Sequence, residues 1–257
     1  MLQQTQADRV TKFYSRWLKK FPSFRSLSRA SVSDVLREWS GLGYNSRALR
    51  FHRLASIVVS DYESQLPSDA TLLQSLPGIG RYTAHAVACF AFGEHVPVVD
   101  VNIRRILTRI TRTVRDSNTM MSEHDAWINA AQILPRTNAY DWNQALMDLG
   151  AMICTARRPQ CKQCPLKKYC PSAEAPAFLQ KPKSIKKKEP SRRGIPRRLY
   201  RGKILKTLHD HRYTLESIAS ILWNSHSASD REWLADVLTV MCREGLLRKM
   251  RNTYMVA

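Results

Sequence analysis

Asp100 is the first residue whose type and place could do chemistry. It follows two valines, Val98 and Val99, and precedes a run in which Ile103, Ile106, Leu107 and Ile110 recur at helical spacing, with Arg104, Arg105 and Arg109 on other faces. Such a carboxylate either caps the helix it precedes or acts on something lying at the helix start. About twenty residues upstream stands Pro77-Gly78-Ile79-Gly80. Its glycines permit φ > 0 and a close backbone approach. A glycine turn that opens a helix aims free N–H groups outward, and that suits a phosphate. Either feature alone fits a plain turn or a plain cap. The pair suits chemistry on one nucleotide of DNA.

The second constellation is metal-binding in type. Four of the six cysteines, Cys154, Cys161, Cys164 and Cys170, fall within seventeen residues. In a reducing compartment that clustering argues for metal over disulfides. Four thiolates at this spacing fit tetrahedral zinc and an iron–sulfur cluster equally. Arg157, Arg158, Lys162, Lys167 and Lys168 lie between or beside them. They form either a solvated basic loop or a contact to a nucleic-acid backbone. Cys89 and Cys242 stand among apolar residues and read as core.

Charge narrows the partner. The chain has 257 residues and a formal net charge of +20. That surplus favours a polyanion, most often nucleic acid, with a membrane surface as the rival. No run of eighteen apolar residues predicts a span. The polar start MLQQTQADR carries no visible signal peptide, so an intracellular, cytoplasmic location is expected, nucleoid-associated if the source is bacterial.

The elements that must position these residues read as helices. Val10, Phe13, Tyr14, Trp17 and Leu18 share helical spacing, and Phe21-Pro22 stops that helix. Ser31 begins another. Gly41-Leu42-Gly43-Tyr44 is a second glycine turn with an aromatic at its tip, followed by Arg47, Arg50 and Arg53. Tyr44 is either a core ring or a base-stacking wedge. Tyr82 to Phe92 is Ala-rich and fits a buried helix. Residues 116 to 150 read as further helix, with Gly150 as a terminator. The first 174 residues are therefore expected to be all-α.

LQQTQ, WSGLGYNSRALRFHRLA, LPGIGRYTAHAV, VDVNIRRIL, and WNQALMDLGAMIC with the four-cysteine block together resemble the helix–hairpin–helix DNA glycosylase superfamily. The order matches over residues 1 to about 174, and the likeness is greatest to the adenine DNA glycosylases of the MutY type. The resemblance implies a [4Fe–4S] cluster on the four cysteines. It implies double-stranded DNA with a mispaired adenine as substrate and a monomer as the acting species. Members flip an adenine opposite 8-oxoguanine or guanine into a pocket and hydrolyse its N-glycosidic bond. Asp100 matches the carboxylate that steadies the oxocarbenium-like sugar, and Asn102 matches its partner. Tyr82 stands where related lyases carry a Schiff-base lysine, so a monofunctional hydrolase is implied. Tyr44 matches the wedge and Gln4 a glutamine entering the duplex. Thr5 matches a contact to the opposite base, and Gln144 a residue facing the flipped adenine. Gly78 and Gly80 match the phosphate-gripping hairpin.

Two departures from that pattern stand out. The family's general acid is a Glu two residues before the Met of its MLQQTQ-like stretch, and here Met1 holds that Met's place. The expectation is an N-terminally truncated chain whose Met1 is an internal Met, or a chain without its acid, at a cost of order 10²-fold or more in rate. The usual NUDIX-like C-terminal domain has no visible counterpart either. Residues 175 to 203 read as a basic linker, with eleven Lys or Arg against one Glu from Lys181 to Lys203. Residues 204 to 257 read as a small winged-helix-like module. Its helices are marked by Leu199, Ile204, Leu205 and Leu208, then by Leu215, Ile218, Ala219 and Leu222. Ser229-x-x-Glu232 reads as a capping box opening the third, and Leu246 to Val256 as a hairpin. The module grips DNA, docks a protein, or only stabilises the C-terminus. Alternatives to adenine excision are thymine excision from T:G mispairs, an endonuclease III-like lyase disfavoured by Tyr82, and a DNA-binding product without turnover.

Overall fold

The computed structural model describes residues 1–2, 5, 7–111, 120–174, 189–209 and 211–257. They divide into two compact units, one of residues 1–66 with 187–257 and one of residues 67–186.

The first unit begins with four helices: α1 (Ala7–Lys20), α2 (Phe24–Ser28), α3 (Val32–Trp39) and α4 (Ser46–Asp61). Serines start two of them. Ser23 accepts from the Ser26 N–H and Ser31 from the Asp34 N–H. Each cap satisfies a donor that the helix leaves orphaned, worth about 1 kcal/mol. Trp17 lies edge-on to Phe21 at 4.9 Å and to Trp39 at 5.4 Å. These rings belong to one apolar cluster that continues through Tyr200, Ile204, Ile218, Leu238 and Val256.

The C-terminal part supplies that continuation. Its elements are β1 (Ser191–Arg192), β2 (Ile195–Pro196), α10 (Arg197–Thr207), β3 (Tyr213–Thr214), α11 (Leu215–Leu222), α12 (Ala228–Arg243), β4 (Leu247–Met250) and β5 (Thr253–Val256). The three-stranded sheet is antiparallel in the order β3-β5-β4. Three helices and a hairpin in this order form the expected winged-helix-like module. The capping box is Ser227 with Asp230, two residues before the expected Ser229 and Glu232. Residues 191–203, read as linker from their charge, carry β1, β2 and the first half of α10; residues 175–188 lie outside the described residues. Leu199 is exposed and not core.

The second unit holds α5 (Ala70–Ser75), α6 (Arg81–Phe92), α7 (Val101–Thr111), α8 (Glu123–Gln132) and α9 (Ala139–Asp148). Asp69 caps α5. The Pro77–Gly80 turn joins α5 to α6 in a helix–hairpin–helix. Buried Ala84, Ala88 and Cys89 form the inner face of α6. Ile103, Ile106, Leu107, Trp127 and Leu146 build the core beneath α7. The chain does not end its helix at Gly150. A π-helical turn over Leu149–Ile153 carries it on to the cysteine loop. No strand lies among the described residues before Ser191. No described helix is long and apolar enough to cross a membrane.

Candidate active site

Asp100 is half-buried at the start of α7. Its Oδ1 accepts from the backbone N–H of Asn102 at 2.8 Å and of Ile103 at 2.7 Å, and its Oδ2 accepts from Asn102 Nδ2 at 2.8 Å. Asp100 therefore does cap the helix. A carboxylate has about four acceptor positions, so the cap leaves Oδ2 a further lone pair. The three donors fix the carboxylate in direction.

Asn102 is fixed in turn. Arg105 Nη1 donates to Asn102 Oδ1 at 2.9 Å, while Arg105 Nε and Nη2 donate to the carbonyls of Cys154 at 2.9 Å and Gly150 at 2.8 Å. Arg109 Nη1 reaches Cys154 Sγ at 3.1 Å and the Thr155 carbonyl at 2.8 Å. A continuous polar chain thus runs from Asp100 through Asn102 and Arg105 to the first cysteine. Arg105 and Arg109, expected on faces other than the apolar one, are both buried. Gly150 permits this packing, because a Cβ there would lie 2.9 Å from Asn102 Cβ.

Tyr82 projects from the first turn of α6. Burial, and then the Asp100 carboxylate, push its phenol above its ordinary value. The two side chains thus share one electrostatic neighbourhood, and the phenol stays neutral. Asn143, absent from the sequence reading, is buried and anchors the segment leading to Asp100. Its Oδ1 accepts from the Val98 N–H at 2.9 Å, and its Nδ2 donates to the Val96 carbonyl at 3.0 Å. His85 holds the Pro97 carbonyl at 2.9 Å and packs on Trp127. Burial lowers its imidazole below the ordinary range, opposed by that hydrogen bond.

In the hairpin, Gly78 takes the left-handed φ of 87° while Gly80 does not, sitting at −89° as the first cap of α6. A Cβ at Gly80 would meet nothing within 4 Å. The open N–H end of α6 is therefore available to an anion. Gln144 is exposed and donates to Asp148 Oδ1 at 3.3 Å.

In the first unit, Tyr44 is no core ring. It is 60 % exposed at a φ of 49°. Arg47 holds its loop, donating to Thr5 Oγ1 at 3.0 Å and to the Gly43 carbonyl at 3.2 Å, with its guanidinium 5.7 Å from the Tyr44 ring centre. Gln4 lies outside the described residues.

Among the described residues no group of His, Cys, Asp or Glu closes on a single metal ion. Burial pushes the Cys161 and Cys170 thiols up, and the charges of the neighbouring thiols add to it in both. The cations around them, Arg157, Arg158, Lys162, Lys167 and Lys168, are all exposed.

Comparisons with known proteins agree with this arrangement. Residues 1–131 match the family described as HhH-GPD superfamily base excision DNA repair protein. Residues 154–170 match the iron-sulfur binding domain of endonuclease III. The chain is 42 % identical over 212 residues to the adenine DNA glycosylase of Mycolicibacterium smegmatis, covering 82 % of this chain and 69 % of that one. It is 43 % identical over 166 residues to the adenine DNA glycosylase of Mycobacterium tuberculosis, covering 65 % and 55 %. The chain thus spans about half the length of that second relative. A solved structure of a thermostable thymine-DNA glycosylase superposes with a TM-score of 0.62 at 31 % identity, covering 68 % of this chain and 80 % of that one.

Proposed function

Because the chain belongs to the HhH-GPD superfamily of base excision DNA repair proteins, we propose that it is a DNA N-glycosylase that hydrolyses the bond between deoxyribose and adenine mispaired with 8-oxoguanine or guanine. The observation that carries the reading is the fixed Asp100 carboxylate, with three of its acceptor positions engaged and one left for substrate. Duplex DNA enters against the helix–hairpin–helix, whose open α6 terminus takes a phosphate. The adenine leaves the stack, an unstacking that costs a few kcal/mol. As the glycosidic bond lengthens, positive charge grows on the sugar. Asp100 lies ready to stabilise it without reorganising, worth about 3 kcal/mol by analogy with other preorganised electrostatic groups. Water supplies the hydroxyl that the sugar takes and the proton that the departing purine takes, which completes the hydrolysis. Asn102 and Arg105 position Asp100, and Asn143 sets the backbone before it.

Tyr82 offers no amine, so no Schiff base forms and the abasic product stays intact. Cys154, Cys161, Cys164 and Cys170 hold a [4Fe–4S] cluster, whose role here is to pin the loop that supplies acceptors to Arg105 and Arg109. On the family resemblance, Tyr44 and Thr5 are assigned contacts to the duplex, and Gln4 and Gln144 contacts to bases. The chain acts as a monomer, inside the cell. Residues 1–174 supply the glycosylase elements, and residues 191–257 form a winged-helix-like module.

A second reading, thymine excision from T:G mispairs, is favoured by the 31 % identity to the thymine-DNA glycosylase. One panel separates the two. Duplexes bearing A:8-oxoguanine, A:G, T:G or an oxidised pyrimidine are incubated with the protein and then treated with alkali. Cleavage of the adenine strand supports the first reading. Cleavage only at T:G installs the second, and cleavage of the pyrimidine lesion without alkali overturns both.

A further inference from the structure

The first unit contains a cavity of about 1100 Å³, lined in part by Thr5 and Tyr44, whose cations the catalytic reading does not use. Arg9, Arg50 and Arg53 line one wall, from α1 and α4. Arg197, Arg198 and Lys206 line the opposite wall, from α10 of the C-terminal module. In all, seven Arg or Lys side chains face two carboxylates, Glu189 and Glu244. Both carboxylates are engaged, Glu189 by Arg198 and Glu244 by Arg201. Among the described residues no ion pair holds Arg50, Arg53 or Lys206. The exposed Tyr44 ring stands at the same cavity.

Cations massed on two facing walls repel one another unless an anion lies between them. A cavity of this size outstrips a single phosphate, and its cationic lining is a poor seat for an apolar protein surface. Paired basic walls beside an exposed aromatic ring form the footprint of a nucleic-acid backbone. The module's other surfaces fit less well. Its third helix, α12, carries Asp230, Glu232 and Asp236, the wrong sign for a helix entering a groove of DNA.

We propose that the C-terminal module grips duplex DNA through α10, which forms the second wall of a phosphate-binding groove whose first wall is α1 and α4. The reading builds on DNA as the substrate. The module adds backbone contacts beside Tyr44 and carries no base specificity. Its third helix stays off the DNA.

The test is the salt dependence of binding to an undamaged duplex by the full chain. Binding of this kind requires no excision, so a failure of the adenine reading leaves the test intact. Each phosphate contact contributes about 0.9 to the slope of log K against log salt. The double variant Arg198→Gln/Lys206→Gln should lower that slope by about 1.8, making the affinity loss between 50 and 200 mM KCl about tenfold smaller than in wild type. Arg50→Gln/Arg53→Gln, on the facing wall, should do the same. Lys249→Gln/Arg251→Gln, on the β4–β5 hairpin, should keep the wild-type slope. All four substituted groove residues are exposed, so wild-type melting is expected and is checked by circular dichroism. An unchanged slope in the α10 variant overturns the proposal. So does a loss in the hairpin variant that equals or exceeds the loss in the α10 variant, since the grip would then lie in the hairpin or in diffuse surface charge.

Discussion

At the scale of single residues, the proposed chemistry asks two jobs of the one Asp100 side chain. Oδ1 closes the first turn of α7, and Oδ2 takes Asn102 while keeping a lone pair for a developing cation. The capping role and the catalytic role looked like rivals in the sequence. They are compatible because a carboxylate has more acceptor positions than a cap needs. Tyr82 has the complementary property of staying neutral, since burial and the nearby carboxylate both resist its ionisation. The abasic product should therefore remain uncut until alkali is added, and borohydride should trap no covalent adduct on denaturing gels. Tyr82→Lys places an amine beside the sugar and should yield a trapped adduct; absence of that adduct would remove Tyr82 from the pocket. Asp100 and the four cysteines stood out by residue type and spacing, whereas Tyr82 entered only through the family resemblance. Arg105, Arg109, Asn143 and Arg47 did not stand out. Periodicity assigns a helical Arg to solvent, yet these side chains bind carbonyls up to 49 residues away, and no local pattern encodes such partners.

At the scale of elements, α7 and the π-helical turn after α9 set the position of Asp100 together. Gly150 lets them approach at Asn102. Gly150→Ala should force Asn102 aside and slow single-turnover excision at least tenfold with DNA affinity retained. An unchanged rate would show that Asn102 does not orient the carboxylate. The α6 contact to the segment before Asp100 is sensitive to pH. Burial lowers the His85 proton affinity in the folded chain, so the unfolded chain takes up the proton at higher pH. Stability from this contact is full above the ordinary histidine value of about 6.5 and falls as pH drops through it. Thermal melts between pH 7.5 and 5.5 should show a larger decline for wild type than for His85→Gln. Elsewhere the capping box expected at Ser229 and Glu232 forms two residues earlier, at Ser227 and Asp230. Ser227-x-x-Asp230 prevails because its carboxylate also takes Arg192 at 2.6 Å and Arg193 at 2.7 Å. The Ser227 backbone, followed by those arginines, holds Asp230 well below the usual carboxylate range. Local spacing carries no trace of those two partners.

At the scale of the whole molecule, a net charge of +20 pointed to a polyanion before any element was placed. The all-helical catalytic part and the winged-helix-like module were both readable from periodicity. The linker boundary was not, because a run of Lys and Arg masked the start of α10. The proposed chemistry requires that the protein recognise positive charge on the sugar through Asp100. Affinity is therefore measured for two duplexes with 8-oxoguanine opposite the site, one carrying a cationic pyrrolidine in place of the sugar and one a neutral tetrahydrofuran. Wild type should prefer the cation by about 10²-fold, and Asp100→Asn should bind the neutral analogue as before while losing that preference. An Asp100→Asn protein that keeps the full preference for the cation would contradict the account.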